Sequence, residues 1–307
     1  MPGFQNHIGL NITSTRLQLV EINYSGEEFT LENIDEEYFS EILDMNAKET
    51  KIITLLQSAF NELVVRRPLK SKLVSFTLPH ECFLSVRLPY ENSVIQNDLL
   101  EHFKWELSLL YPKITVDDLI IQYVKIEDFE KTVPSNTALV IATFRKYLKI
   151  LSSFCAQNGL KLKYIDNAHF ASDNIIALKE NCPSDEFVLS LYTGNNFLST
   201  TVIFNNRAVY FDILPIKNAG EIVAKIKDEL NNKFIKLSHE NLAKVFIAGE
   251  NLSDSLLERI RENLNLNPEK INPFEEISIQ PELFANKFFT EKASSFTASA
   301  GIAFRLV

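Results

Sequence analysis

The chain has 307 residues, 46% hydrophobic and 23% charged, enough for two globular lobes with separate cores. A net charge of −9 argues against a nucleic-acid partner, since the single short basic cluster, Arg66-Arg67-Pro68-Leu69-Lys70, reads as a solvated turn. Three widely spaced cysteines (82, 155 and 182) without a C-x-x-C pair argue against a disulfide framework or a zinc site, and no apolar run approaches the roughly 20 residues that span a bilayer. Residues 1–10 show no secretory leader pattern, so work at a membrane would go through a partner.

Residues 8–22 read as strand, tight turn at Thr13-Ser14-Thr15, strand. The acidic stretch 27–41 reads as a strand end followed by a solvated loop. Ile52, Leu55, Leu56, Ala59 and Leu63 recur at helical spacing and predict an amphipathic helix facing a sheet. Residues 73–78 and 82–88 alternate in period two on either side of Pro79-His80 and predict two paired strands. Ser93 and Gln96 form a capping box for a helix with its stripe at Leu99, Phe103, Leu107 and Leu110, stopped at Tyr111-Pro112. A strand is expected over 119–126, another over 138–144, and a helix over 147–157 capped by Gly159. A short strand at 160–165 leads to a helix capped by Asp166 or Asn167. Its inward Ala168, Ala171 and Ile175 are small enough for close lobe packing.

From about residue 185 the order of elements starts again: strands at 187–192 and 197–204, a turn at Asn205-Asn206, and a strand at 208–213. Asn218 and Glu221 box a helix with Ile222, Ile226, Leu230 and Phe234 on one face. A buried strand over 244–248 runs into Gly249-Glu250-Asn251, a helix covers 253–264, and a closing helix over 293–307 puts Phe296, Ala300, Ala303, Phe304 and Val307 together.

The run Leu78-Pro79-His80-Glu81, then Leu88-Pro89, Phe103-Lys104-Trp105-Glu106 and Tyr111-Pro112, resembles the inserted subdomain of the PilM family of type IV pilus assembly proteins. Asn272-Pro273-Phe274 matches a later landmark, so the resemblance spans nearly the whole chain. It implies a two-lobed α/β actin-like fold, a duplicated ribonuclease-H-like unit with a small α/β insert in the first lobe. The implied boundaries are 1–80 with 137–183 and 291–307 for the first lobe, 81–136 for the insert and 184–290 for the second.

The resemblance also implies ATP and Mg²⁺ between the lobes, with Asn11, Thr13, Ser14, Thr15, Gly194 and Gly249 as the remnant site. The sequence departs from the family there. Asn11 stands for its Asp, Thr13 for its Gly and Gln18 for its Lys; Ser190 aligns with the second Asp, Tyr192 with a Gly, and Gly249 alone remains of a glycine run. A lost carboxylate weakens a Mg²⁺ site, and side chains at a bend obstruct phosphate. The five histidines show no metal-ligand spacing. The expectation is therefore a scaffold with no catalytic residue and no cofactor. It would sit at the cytoplasmic face of the inner membrane and hold the N-terminal tail of a PilN-like membrane protein through Phe83, Val86 and Trp105, with other machine components and self-association as further contacts. An active actin-fold ATPase and a type II secretion component are the alternatives.

Overall fold

The computed structural model describes residues 6–25, 28–91, 95–126, 136–179, 186–231, 237, 242–250 and 252–305. The expectations placed on Ser93, Cys182, Phe234, Asn251 and Val307 lie outside these residues. The first lobe opens with three antiparallel strands, β1 (His7–Ile12), β2 (Arg16–Ser25) and β3 (Glu28–Tyr38). Helix α1 (Glu49–Arg66) buries the predicted stripe of Ile52, Leu55, Leu56, Ala59 and Leu63, and returns the chain to β4 (Leu73–Leu78), parallel to β1.

A separate unit follows: β5 (Phe83–Pro89), α2 (Gln96–Leu110), β6 (Leu119–Ile126) and β7 (Thr137–Phe144), in a three-stranded sheet ordered β5-β7-β6. The chain then re-enters the first lobe through α3 (Arg145–Gln157), β8 (Lys161–Asn167) and α4 (Ala168–Lys179). The second lobe contains β9 (Phe187–Thr193), β10 (Phe197–Phe204), β11 (Arg207–Pro215), α5 (Ile222–Leu230), β12 (Leu242–Gly249), α6 (Asp254–Leu264) and β13 (Pro268–Lys270). Strand β14 (Ser278–Ile279) joins the edge of the first sheet at β3, and α7 (Lys287–Lys292) and α8 (Thr297–Ala303) close the chain.

Apart from β14, the two large sheets have one plan: β3-β2-β1-β4-β8 and β11-β10-β9-β12-β13, each with a three-strand meander followed by two parallel strands. The small unit lies between β4 and α3, where the second lobe goes from β12 to α6. Two small-residue contacts seat α8. A Cβ at Gly301 of α8 would overlap the Ala171 carbonyl of α4, and one at Gly9 of β1 would overlap the Ser299 carbonyl, so α8 lies against both.

Several expectations need correction. Strands 73–78 and 83–89 do not pair with each other: β4 lies between β1 and β8, while β5 pairs with β7. The small sheet takes in β7 and so runs past residue 136 to Phe144. Helix α2 starts at Gln96 after an Ile95 without a side-chain cap, and Leu110 is half exposed because Tyr111 and Ile114 complete that core instead. Glu221 reaches the Lys217 amide, leaving Asn218 to cap Gly220.

The acidic stretch is a full strand, β3, and the basic cluster is its counter-charge. Arg66 pairs with Asp35 at 2.7 Å and Glu37 at 2.6 Å, and Lys70 pairs with Glu32. Such half-exposed pairs contribute about 0.2–1 kcal/mol each. Buried Leu31 and Ile34 hold the strand, and the pairs relieve the repulsion among its carboxylates.

Candidate functional site

The bends β1–β2 and β9–β10 face each other across the cleft between the lobes, where a cavity is lined by Asn11, Thr13, Ser14, Gly194, Tyr192 and Glu250 among others. Strand register sets the correspondence. Asn11 pairs with Gln18 and lies beside Thr77 of β4; Tyr192 pairs with Ser199 and lies beside Ala248 of β12. Tyr192, one residue before the end of its strand, is thus the counterpart of Asn11, and Gly194 that of Thr13. Ser190, assigned to the carboxylate position from sequence, lies two residues deeper on the same face, because one sequence does not reveal where the strand ends.

Each wall of the cleft is already satisfied. The Asn11 amide donates to Gln18 Oε1 at 2.8 Å and accepts from the Thr77 hydroxyl at 2.7 Å, while Gln18 donates to Glu36 at 3.2 Å. The Thr13 hydroxyl accepts from the backbone N–H groups of Thr15 and Arg16 at 3.2 and 3.1 Å. These are amides that a phosphate loop would turn toward an anion. Thr15 is held in this turn and does not line the cavity. Gly249 has φ 103° and lets β12 approach the Thr193 backbone, which a Cβ would overlap; Glu250, not Gly249, reaches the cleft.

Side chains fill what remains. Tyr192 is buried, hydrogen-bonds Asn11, and stacks on Phe197 at 6.3 Å between ring centroids. The Phe197 ring covers Gly194 and meets His80, from the turn after β4, at 4.1 Å. Arg16 of β2 bridges Glu36 at 3.2 Å and, across the cleft, Glu250 at 3.1 Å. Burial raises the Glu250 carboxyl above its ordinary range, against the pull of Arg16. The open volume is about 40 Å³, room for a few water molecules at roughly 10–15 Å³ each. Neither Asn11 nor Tyr192 supplies a carboxylate, and the Phe197 ring stands over Gly194.

Beneath this wall lies a buried polar cluster that sequence reading did not detect. His169 Nδ1 and Nε2 lie 2.8 Å from Ser199 Oγ and 3.1 Å from Ser190 Oγ, and Ser190 donates to Asp173 at 2.5 Å. Burial lowers His169 to about 3 and raises Asp173 to about 7. The types are those of a hydrolytic triad, but Ser190 is 1% exposed and donates to the carboxyl, so no substrate reaches it.

The second gap lies between the small sheet and the first lobe. Phe83, Ile120, Ile141, Leu148, Ile165 and Phe170 line it with Lys163 and Asp166 at a volume of about 160 Å³. The three residues predicted to bind a partner fall on different surfaces. Phe83 lines this groove; Val86, on the opposite face of β5, packs with Leu84 under α2; Trp105 is 58% exposed on the outer side of α2. The period-two alternation of β5 separates the first two, and Trp105 lies off the buried Leu99-Phe103-Leu107 stripe. Ile141, Leu148 and Phe170 come from three other elements, which no local pattern connects.

Two lobes of one plan around a shared cleft, with a small unit grafted on the first, define the actin-like fold. Among solved structures, a chain of the PilM-PilN type IV pilus biogenesis complex matches at TM-score 0.72 and 17% identity, over 97% of this chain and 98% of that one. A protein of unknown function with an actin-like ATPase fold from Bacteroides thetaiotaomicron matches at TM-score 0.53 and 10% identity, over 96% and 95% of the two chains. No protein-family model and no curated protein matches the sequence. The chain's architecture is therefore the actin-like fold in the form that PilM takes.

Proposed function

We propose that this chain is a scaffold component of a type IV pilus or related secretion machine, and that it holds the N-terminal cytoplasmic tail of a PilN-like inner-membrane protein in the groove beside the small sheet. The observation that carries this reading is the contrast in occupancy: the groove keeps about 160 Å³ beside Phe83, Ile141 and Phe170, while the cleft, filled by the chain's own side chains, keeps about 40 Å³. The likeness to a chain of a PilM-PilN complex supports the choice of partner.

A tail that is disordered alone loses conformational entropy on docking, so affinity rests on a few anchor side chains. Phe83, Ile141 and Phe170 offer the apolar wall for one anchor, and Lys163 offers a cation at the rim. No described helix is long and apolar enough to cross a membrane; in this proposal the partner supplies the attachment to the inner membrane. The proposal carries no ATP or Mg²⁺ requirement.

Titration of an N-terminal cytoplasmic peptide of a PilN-like protein tests it. Leu148, 39% exposed on the groove wall, can take a charge without disturbing the core. Leu148→Glu should weaken binding more than tenfold, equivalent to about 1.4 kcal/mol, at an unchanged thermal midpoint. Equal affinity of the two proteins rejects the groove. Removing residues 81–136 is a poorer test, because it strips β7 of both neighbours.

A further inference from the structure

Two short segments each form part of both gaps. Pro79 and Glu81 line the cleft, and Phe83, at the end of the same turn, lines the groove. Ala168 lines the cleft, while Asp166 and Phe170, two residues to either side, line the groove. The small sheet also leans on the second lobe. Ile126 and Leu139 belong to that lobe's core, and the Arg87 guanidinium sits 4.6 Å from the centre of the Tyr210 ring. A change in the angle between the lobes must move at least one groove wall relative to the others, because packed interfaces shift between discrete arrangements and do not stretch.

The lobes share an apolar core that includes Val20, Ile22, Val188, Tyr192, Phe246 and Ala248, and at the cleft two further contacts reach from one lobe to the other. Arg16–Glu250 is a buried ion pair between the lobes, and His80–Phe197 is a ring contact between them. Both ends of the ion pair are fixed. Glu250 N donates to Thr193 O at 2.8 Å and the Thr193 hydroxyl donates to Glu250 O at 2.6 Å, while Arg16 also reaches the Tyr38 hydroxyl at 3.1 Å. His80 lies three residues before Phe83, so the ring contact pulls on the groove through one turn of chain.

We propose that Arg16–Glu250 and His80–Phe197 form a built-in latch that holds the lobes together and thereby sets the shape and affinity of the groove through segments 79–83 and 166–170. The latch takes the place of a bound ligand in joining the two halves, so the groove is held in one state by the chain itself. This rests on the groove being the working site, as proposed above.

Hydrogen–deuterium exchange on the full chain tests the coupling without any peptide. In Glu250→Gln, which keeps size and removes charge, exchange over 79–83 and 166–170 should rise roughly fivefold or more, the lower end of common coupling between sites. Exchange in α1, remote from both gaps, should be unchanged. Phe197→Leu loosens the other contact without leaving an unpaired charge and should give the same pattern. The dissociation constant of the tail peptide should shift by a similar factor in both variants. Unchanged exchange in both segments in both folded variants overturns the latch, and so does acceleration shared equally by α1, which is general loosening. If the segments respond but the wild type binds no tail, the latch stands and the tail is rejected.

Discussion

The cleft between the lobes and the groove beside the small sheet share two wall segments, yet one is packed with side chains and the other is open. The cleft's residues have turned toward each other. Asn11 bonds Thr77 and Gln18, Thr13 closes its own turn, and Tyr192 and Phe197 cover Gly194. The groove's apolar residues come from β5, β6, β7, α3, β8 and α4 and leave about 160 Å³ between them. A site for a ligand must keep space in reserve, and of these two gaps the groove keeps the more, about 160 Å³ against about 40 Å³.

The comparison predicts that substitutions in the cleft cost stability, whereas those in the groove cost binding. The largest effect is expected for Tyr192→Ala. Emptying a buried aromatic site costs about 3–5 kcal/mol, read as a lower urea midpoint; a loss under about 1 kcal/mol shows that the cleft is not part of the core. Glu250→Ala should cost less, about 2–3 kcal/mol, because Arg16 keeps Glu36 as a partner and is not left wholly unpaired. A cost no greater than that of an exposed glutamate makes the ion pair incidental.

Asp173→Asn tests whether the buried cluster of His169, Asp173, Ser190 and Ser199 excludes water. Burial raises this carboxyl from 3.8 to about 7, so the folded protein holds the proton longer than the unfolded chain. Its stabilising contribution is complete below about pH 4 and is lost as pH rises to about 7. His7 and His169, lowered to about 4 and 3 by burial, act in the opposite sense and are common to both proteins. The stability of Asp173→Asn relative to wild type should therefore climb between pH 4 and 7 and level off above. A constant difference in urea midpoint across that range means the carboxyl is ionised throughout. The smallest expected effect is that of Mg-ATP: millimolar nucleotide should leave the thermal midpoint unmoved, since a ligand raises it only as its concentration exceeds Kd.

Local pattern made much of the fold legible. The hairpins of both lobes, the α1 stripe and the Asn205-Asn206 turn, at φ 49° and 59°, follow from period and turn chemistry. Strand β3 was illegible because the charges that neutralise it lie in Arg66 and Lys70, some thirty residues on. Tyr192 was misplaced against Ser190 because register is set by neighbouring strands and not by the strand itself. Of the groove, only Phe83 was found. Phe170 sits three residues into a helix whose other side packs on α8, and nothing near it in sequence distinguishes a groove wall from core.

The close seating of α8 also bears on how the chain is made. His7 of β1 is hydrogen-bonded to Ser75 at 2.8 Å and to the Ala303 carbonyl at 2.9 Å, 296 residues away. At about 5–20 residues per second of synthesis, the face of β1 that receives α8 stays uncovered for roughly 15–60 s after it emerges from the ribosome. Through that interval the first lobe's sheet lacks its cover over His7 and Gly9 of β1 and over the apolar Val20 and Ile22 of β2, while the second lobe, built from contiguous chain, can fold as it appears. The nascent first lobe is thus the part with the longer exposure to chaperones and to aggregation, and the arrival of α8 is what ends it.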